Sequence, residues 1–132
     1  METEIEIKRI FISGPVSAII KERGYLAAVL DFENAETRIN AKYPDAQVVN
    51  PMKVCKADWS WLRCMIRCLY ELFFCDTICM MPGWRDSKGS RIEHRFARRW
   101  HLNILRIFKK DIVVLIKREE YGHEKEIGRA HV

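Results

Sequence analysis

The chain lacks any apolar run approaching the roughly 18 residues that a membrane helix needs. Its first ten residues interleave charges with isoleucine, so no secretory leader is visible and a cytoplasmic location is expected. It has no Cys-x-x-Cys pair. Its five cysteines, at 55, 64, 68, 75 and 79, are odd in number, which argues against a disulfide framework. Cys64 and Cys68 stand four apart, as metal ligands on one helix face do, but burial in a core is the ordinary fate of cysteine. The histidines, at 94, 101, 123 and 131, have no ligand-like spacing. No metal and no other cofactor is expected. Internal repeats and low-complexity segments are absent, and no duplex-reading motif accompanies the basic residues.

What remains is an ordinary globular composition. The 132 residues suit one domain with a real core, and 48% apolar with 31% charged residues argues against disorder. The formal charge of +5 fits a solvated surface or a preference for phosphate-bearing ligands. Much of the excess lies in Arg91, Arg95, Arg98, Arg99, Arg106, Lys109 and Lys110.

Ile5 to Ile12 reads as a first strand, broken by Ser13-Gly14-Pro15. Residues 16–24 are ambiguous. Apolar residues at helical intervals, from Leu26 to Ile39, predict a helix over Tyr25 to about Tyr43. Gln47 to Asn50 is a short second strand, and 51–57 a connection. Asp58 or Ser60 is placed to cap a helix running through Trp61, Met65, Leu69 and Phe73. That helix is apolar on more than one side, so burial is expected. Asp76 to Met81 reads as a third strand, and a helix follows to about His101. Asn103 to Phe108 and Asp111 to Ile116 are the fourth and fifth strands. Strands alternating with helices predict a parallel sheet covered on both faces. The domain is expected over 1–116, with 117–132 as a charged tail or a partner contact.

Right-handed crossovers bring the loops after the strands to one sheet edge, where ligands of open α/β sheets bind. Ser13 and Gly14 would lie there. So would Ser87 and Gly89, at a helix start whose dipole favours an anion. Glu93 sits in the first turns of that helix. Trp84 in the preceding loop has two uses: stacking on a planar ligand or closing over the core. Small residues also simply make turns, and a glutamate near a helix start is ordinary.

Taken in order, Phe11-Ile12-Ser13-Gly14-Pro15, Val48-Val49-Asn50-Pro51, Trp61, Met65 with Arg67, Cys75-Asp76, Met81-Pro82-Gly83-Trp84 and Ser87-Lys88-Gly89 with Glu93 make one pattern. It resembles the bacterial and phage family described as domain of unknown function 4406. That family is similar to the nucleoside 2-deoxyribosyltransferases and the 2′-deoxynucleoside 5′-monophosphate N-glycosidases. The resemblance implies a flavodoxin-like three-layer sandwich, with a five-stranded parallel sheet of order 2-1-3-4-5, in a dimer or larger homo-oligomer. It implies a nucleoside or nucleotide ligand, with Glu93 attacking C1′ of the deoxyribose. Ser87 and Gly89 would hold the sugar or 5′-phosphate, and Ser13 and Gly14 would border sugar and base. Two positions depart from the active relatives. Cys68 stands where they carry an acid/base aspartate, and Phe11 where they carry a tyrosine. The resemblance therefore implies a glycosidase or transferase acting through Glu93. The departures favour a weakened nucleotide-binding sensor or regulator. An interaction module with a vestigial pocket is the third expectation.

Overall fold

After Arg9, residues 10–13 alternate isoleucine with an aromatic and a small residue, and residues 9–13 become a strand inside the sheet. In the computed structural model, which describes residues 6–108 and 113–117, strand β1 spans Arg9–Ser13. Ile10 and Ile12 point to one face of the sheet and Phe11 to the other, as a period of two requires. Helices α1 (Val16–Arg23) and α2 (Tyr25–Lys42) cover the first face. Ala28, Phe32, Ala35 and Ile39 form the buried stripe of α2, at helical spacing. Each large member of that stripe stabilises the fold by about 1.5–3 kcal/mol through burial. The segment left ambiguous by the sequence is thus helical. It is divided from α2 by Gly24, whose φ of 100° suits a residue without a side chain.

Strand β2 (Gln47–Val49) is followed by a single-turn helix, α3 (Pro51–Val54), where a connection was expected. Asn50 explains it: its side chain accepts from the Met52 N–H, and Pro51 occupies the first helical position. Helix α4 (Trp61–Phe73) is capped by Ser60, which accepts from the Arg63 N–H. Strand β3 (Thr77–Met80) leads through a 3₁₀ turn at Trp84–Asp86 into α5 (Lys88–Arg99). Helices α4 and α5 pack over Phe11, Ile78 and Met80 on the second face.

Strands β4 (Asn103–Ile107) and β5 (Val113–Lys117) complete a sheet of order β2-β1-β3-β4-β5. The first four strands are parallel, and β5 is antiparallel to β4. This corrects the expected all-parallel sheet. The five residues between Ile107 and Val113 are too few for a crossover, which takes a dozen or more. A second correction concerns α4. Leu62, Ile66, Tyr70 and Phe73 are all more than half exposed, and Phe74 and Trp100 extend the same apolar surface. Only Met65, Cys68 and Leu72 of α4 are buried. No described helix is long and apolar enough to cross a membrane. The charged tail expected over 117–132 lies outside the described residues apart from the end of β5.

Candidate active site

The carboxyl ends of β1, β2 and β3 meet the start of α5 at one sheet edge. Gly14 lies there because nothing larger fits. A Cβ on it would come within 2.6 Å of the Met81 Sδ and 3.0 Å of Phe32. Its smallness is thus explained by packing of the β1 loop against β3 and α2. Asp76 lies at the opposite, amino-terminal edge. Its carboxylate accepts from the Lys8 and Arg9 N–H groups and from Thr77 Oγ1, a structural clasp between β1 and β3.

Helix α5 buries Ser90, Glu93 and Ala97, one stripe at i, i+3 and i+7, while Arg91, Arg95, Arg98 and Arg99 face solvent. A buried stripe made of a hydroxyl, a carboxyl and a methyl contributes little hydrophobic stabilisation. Its polar members need partners, and they find them. Ser13 Oγ stands 2.6 Å from Glu93 Oε1 and 3.0 Å from Ser90 Oγ. Ser90 Oγ is 2.9 Å from the Gly14 carbonyl oxygen, to which it donates. The Cys68 thiol, on α4, interacts with the Glu93 carboxyl and favours its charged form.

Burial pushes the Glu93 carboxyl up to about 7, against the hydrogen bonds from Ser13 and Cys68, which favour the charged form. Counting protons supports the direction. When Glu93 is ionised, Ser13 donates to it, and the single Ser90 proton must serve either Ser13 or the Gly14 carbonyl. When Glu93 is protonated, it donates to Ser13, Ser13 to Ser90, and Ser90 to the carbonyl. Each contact then has one proton. Cys68 is displaced the other way from usefulness as an acid. Burial first, and the Glu93 charge second, raise its thiol far above the ordinary range.

Glu93 lines a cavity of about 260 Å³ together with Cys68, Ser87, Gly89, Ser90 and Gly14. Ser87 caps α5 by accepting from the Ser90 N–H. Gly89 packs so closely that a Cβ would meet the Met65 Sδ at 3.0 Å. A smaller hollow, about 180 Å³, adjoins across Ser87, Lys88 and Gly89 and holds Asp86 on its rim. The main cavity is also lined by three aromatic residues: Tyr25 from α2, Trp59 from the loop before α4, and Trp61 from α4 itself, which lies beside the start of α5. Arg63 lies over the Trp59 ring at 4.2 Å and Lys88 over the Trp61 ring at 5.2 Å.

The structure thus brings together Gly14, Cys68, Ser87, Gly89 and Glu93, with Ser13 behind Glu93. It places two other named residues elsewhere. Phe11 is fully buried beneath α4, and Trp84 is 7% exposed in the same core cluster, stacked on His94 at 4.4 Å. Neither lines the cavity. Of the two uses of Trp84, closing over the core is the one realised.

The sequence pattern of one family covers residues 8–106, about three-quarters of the chain. The chain belongs to the family described as Domain of unknown function (DUF4406). The match takes in all the cavity-lining residues and ends before β5, so the antiparallel strand falls outside the family's pattern. No curated protein matches the chain.

Tyr25, Trp59, Cys55 and Ser90 are cavity residues that sequence reasoning did not single out. Ser90 carried a signal, since it precedes Glu93 by three and shares its helix face. The aromatic lining carried none, because its members are assembled from separate elements. The expectation against disulfides also needs correcting. Cys55 and Cys64 form one, with Cα atoms 5.6 Å apart, joining the end of α3 to the first turn of α4.

Proposed function

We propose that this protein binds a deoxynucleoside or its 5′-monophosphate and cleaves the N-glycosidic bond through Glu93. The observation that carries the reading is a buried carboxyl, held by Ser13, facing a cavity lined by aromatic residues and a helix N-terminus. The sheet order is that of the flavodoxin-like architecture, in which ligands sit at the carboxyl edge of the strands. The similarity to deoxyribosyltransferases and monophosphate N-glycosidases belongs to this proposal. Trp59 and Trp61 offer flat faces to the base. Backbone N–H groups at the start of α5, with Lys88, offer an anion site to a 5′-phosphate reaching the smaller hollow.

Cleavage of such a bond passes through an oxocarbenium-like state. The ionised Glu93 traps C1′ as a covalent ester while the base leaves. Water then releases the sugar in a hydrolase, and a second base does so in a transferase. An acidic side chain normally protonates the departing base.

A second reading is favoured by one specific observation, the Cys68 thiol in contact with Glu93 where an acid is needed. Raised far above neutrality, that thiol keeps its proton and does not assist the leaving base. On this reading the protein binds nucleotide and turns over slowly, as a sensor or regulator. Both readings require ligand-induced stabilisation. A panel of deoxynucleosides and monophosphates is expected to contain at least one member that raises Tm, with the monophosphate above its nucleoside. A flat panel removes both.

We infer that the exposed apolar face of α4 is covered by a second copy of the chain. Leu62, Ile66 and Tyr70 form one stripe, continued by Phe73, Phe74 and Trp100, a contiguous apolar surface of the kind monomers seldom leave bare. Ile66→Glu is expected to convert a dimer or larger assembly into monomer in light scattering. A wild-type protein that already runs as a monomer contradicts this.

A further inference from the structure

Three cysteines converge on the cavity wall from two elements. Cys68 Sγ lies 3.8 Å from Cys55 Sγ and 4.0 Å from Cys64 Sγ, and the three sulfurs fall within 4.8 Å of one another. A thiolate-bound zinc ion, with Zn–S bonds of about 2.3 Å, sets its ligand sulfurs about 3.8 Å apart along each tetrahedral edge. Two of the three spacings therefore already match. The third pair is the Cys55–Cys64 disulfide, and only that pair has to separate.

We propose that, with this disulfide reduced, Cys55, Cys64 and Cys68 form a binding site for one soft divalent cation of the zinc class. The remaining Cys75 and Cys79 take no part: both are buried, and neither belongs to the group of sulfurs within 4.8 Å of one another. Reduction by a dithiol supplies two electrons and two protons to the Cys55–Cys64 bond and converts the dithiol to its own disulfide. The cation then displaces three thiol protons, forming three metal–sulfur bonds. Three protein ligands leave the fourth position for water or for a ligand atom from the cavity.

Local structure permits the change. Cys55 follows the single turn of α3 and precedes Lys56, Ala57 and Asp58, all exposed, so its sulfur is carried on a short surface loop. Cys64 and Cys68 are one turn apart on α4, a rigid platform for two ligands. In either state the cluster ties α3 to α4 and fixes the loop that carries Trp59. A disulfide does this under oxidising conditions and the metal does it under reducing ones, where a disulfide would not persist. The proposal rests on the geometry of these sulfurs and not on the nucleotide reading, although a metal at Cys68 would take the thiol proton from beside Glu93.

The test uses the full chain, reduced with a phosphine, desalted without oxygen and titrated with Co²⁺ alone. One equivalent is expected to bind, with the sulfur-to-cobalt charge-transfer band of thiolate coordination, bleached by Zn²⁺. Zn²⁺ should raise the Tm of the reduced protein. Cys68→Ser is expected to weaken binding by at least the roughly 100-fold that loss of an outer-shell partner costs at most. Cys75→Ser is expected to leave it unchanged, and the disulfide-bonded protein should show no such band. Free thiols at 55, 64 and 68, shown by alkylation and mass, together with no cobalt–thiolate band would overturn the proposal. An undiminished band in a folded Cys68→Ser or Cys64→Ser protein would do the same. None of these readouts depends on nucleotide binding or turnover.

Discussion

Cys68→Asp is expected to raise the rate of base release from a bound deoxynucleotide by roughly 10²–10⁴, the usual contribution of a positioned general acid. The thiol it replaces already touches Glu93, so the introduced carboxyl would lie beside the nucleophile. Two carboxyls at that distance cannot both ionise at neutral pH. One holds the proton that the departing base needs, and the other attacks C1′. The wild-type thiol cannot share in this way, because burial and the Glu93 charge hold its proton too tightly. Phe11→Tyr is the less informative change. Phe11 is fully buried, and a hydroxyl there would need a partner inside the core. Base release is read by chromatography at saturating ligand, so that a change in affinity is not mistaken for a change in rate. No gain in a folded Cys68→Asp protein would mean that the missing acid is not what limits turnover.

The second large effect is on stability. Glu93 takes its proton at about 7 in the folded chain, against an ordinary value of 4.5. Below pH 4.5 the carboxyl is protonated in both states and contributes no difference. Between the two values the folded protein binds the proton and the unfolded chain does not. Stability therefore falls as pH rises through this window, and the full penalty is present above about 7. Its upper size is about 3 kcal/mol, since each tenfold change in proton affinity is worth about 1.36 kcal/mol. Glu93→Gln removes the charge while keeping a donor for Ser13. It is expected to match the wild type near pH 4 and to exceed it by up to about 3 kcal/mol at pH 8. Urea unfolding at the two pH values measures the difference. A gap that is the same at both would show that Glu93 titrates as an ordinary carboxyl. The same ionisation sets activity: turnover should rise with pH through about 7, as the nucleophile loses its proton.

Much of this arrangement was legible in residues that obey strong local rules. The isoleucines of β1, the helical stripe of α2 and the small-residue loops after β1 and β3 each follow a periodicity or a turn chemistry. The position of Glu93 at the loop edge followed from chain topology. The antiparallel β5 was also within reach, because its connection is too short for a crossover. Other features depend on what lies across space. The run of apolar residues on α4 has the composition of a core helix, and nothing local distinguishes a core face from a bare one. Trp59 and Tyr25 line one cavity only because the start of α2 and the α3–α4 loop reach the same sheet edge. The cysteine spacing of Cys55, Cys64 and Cys68 matches no common metal motif, and their convergence depends on α3, an element of one turn set by Asn50. Trp84 was open between two roles, and only packing on His94 decides it.

The central claim is that Glu93 is the nucleophile of a deoxyribosyl-transferring or hydrolysing site. The most direct measurement follows free base over time from the monophosphate that stabilises the protein most, with wild type and Glu93→Ala side by side. The account predicts base release by the wild type above the uncatalysed background, and release at background by Glu93→Ala that still binds the ligand. Release unchanged in Glu93→Ala would contradict it.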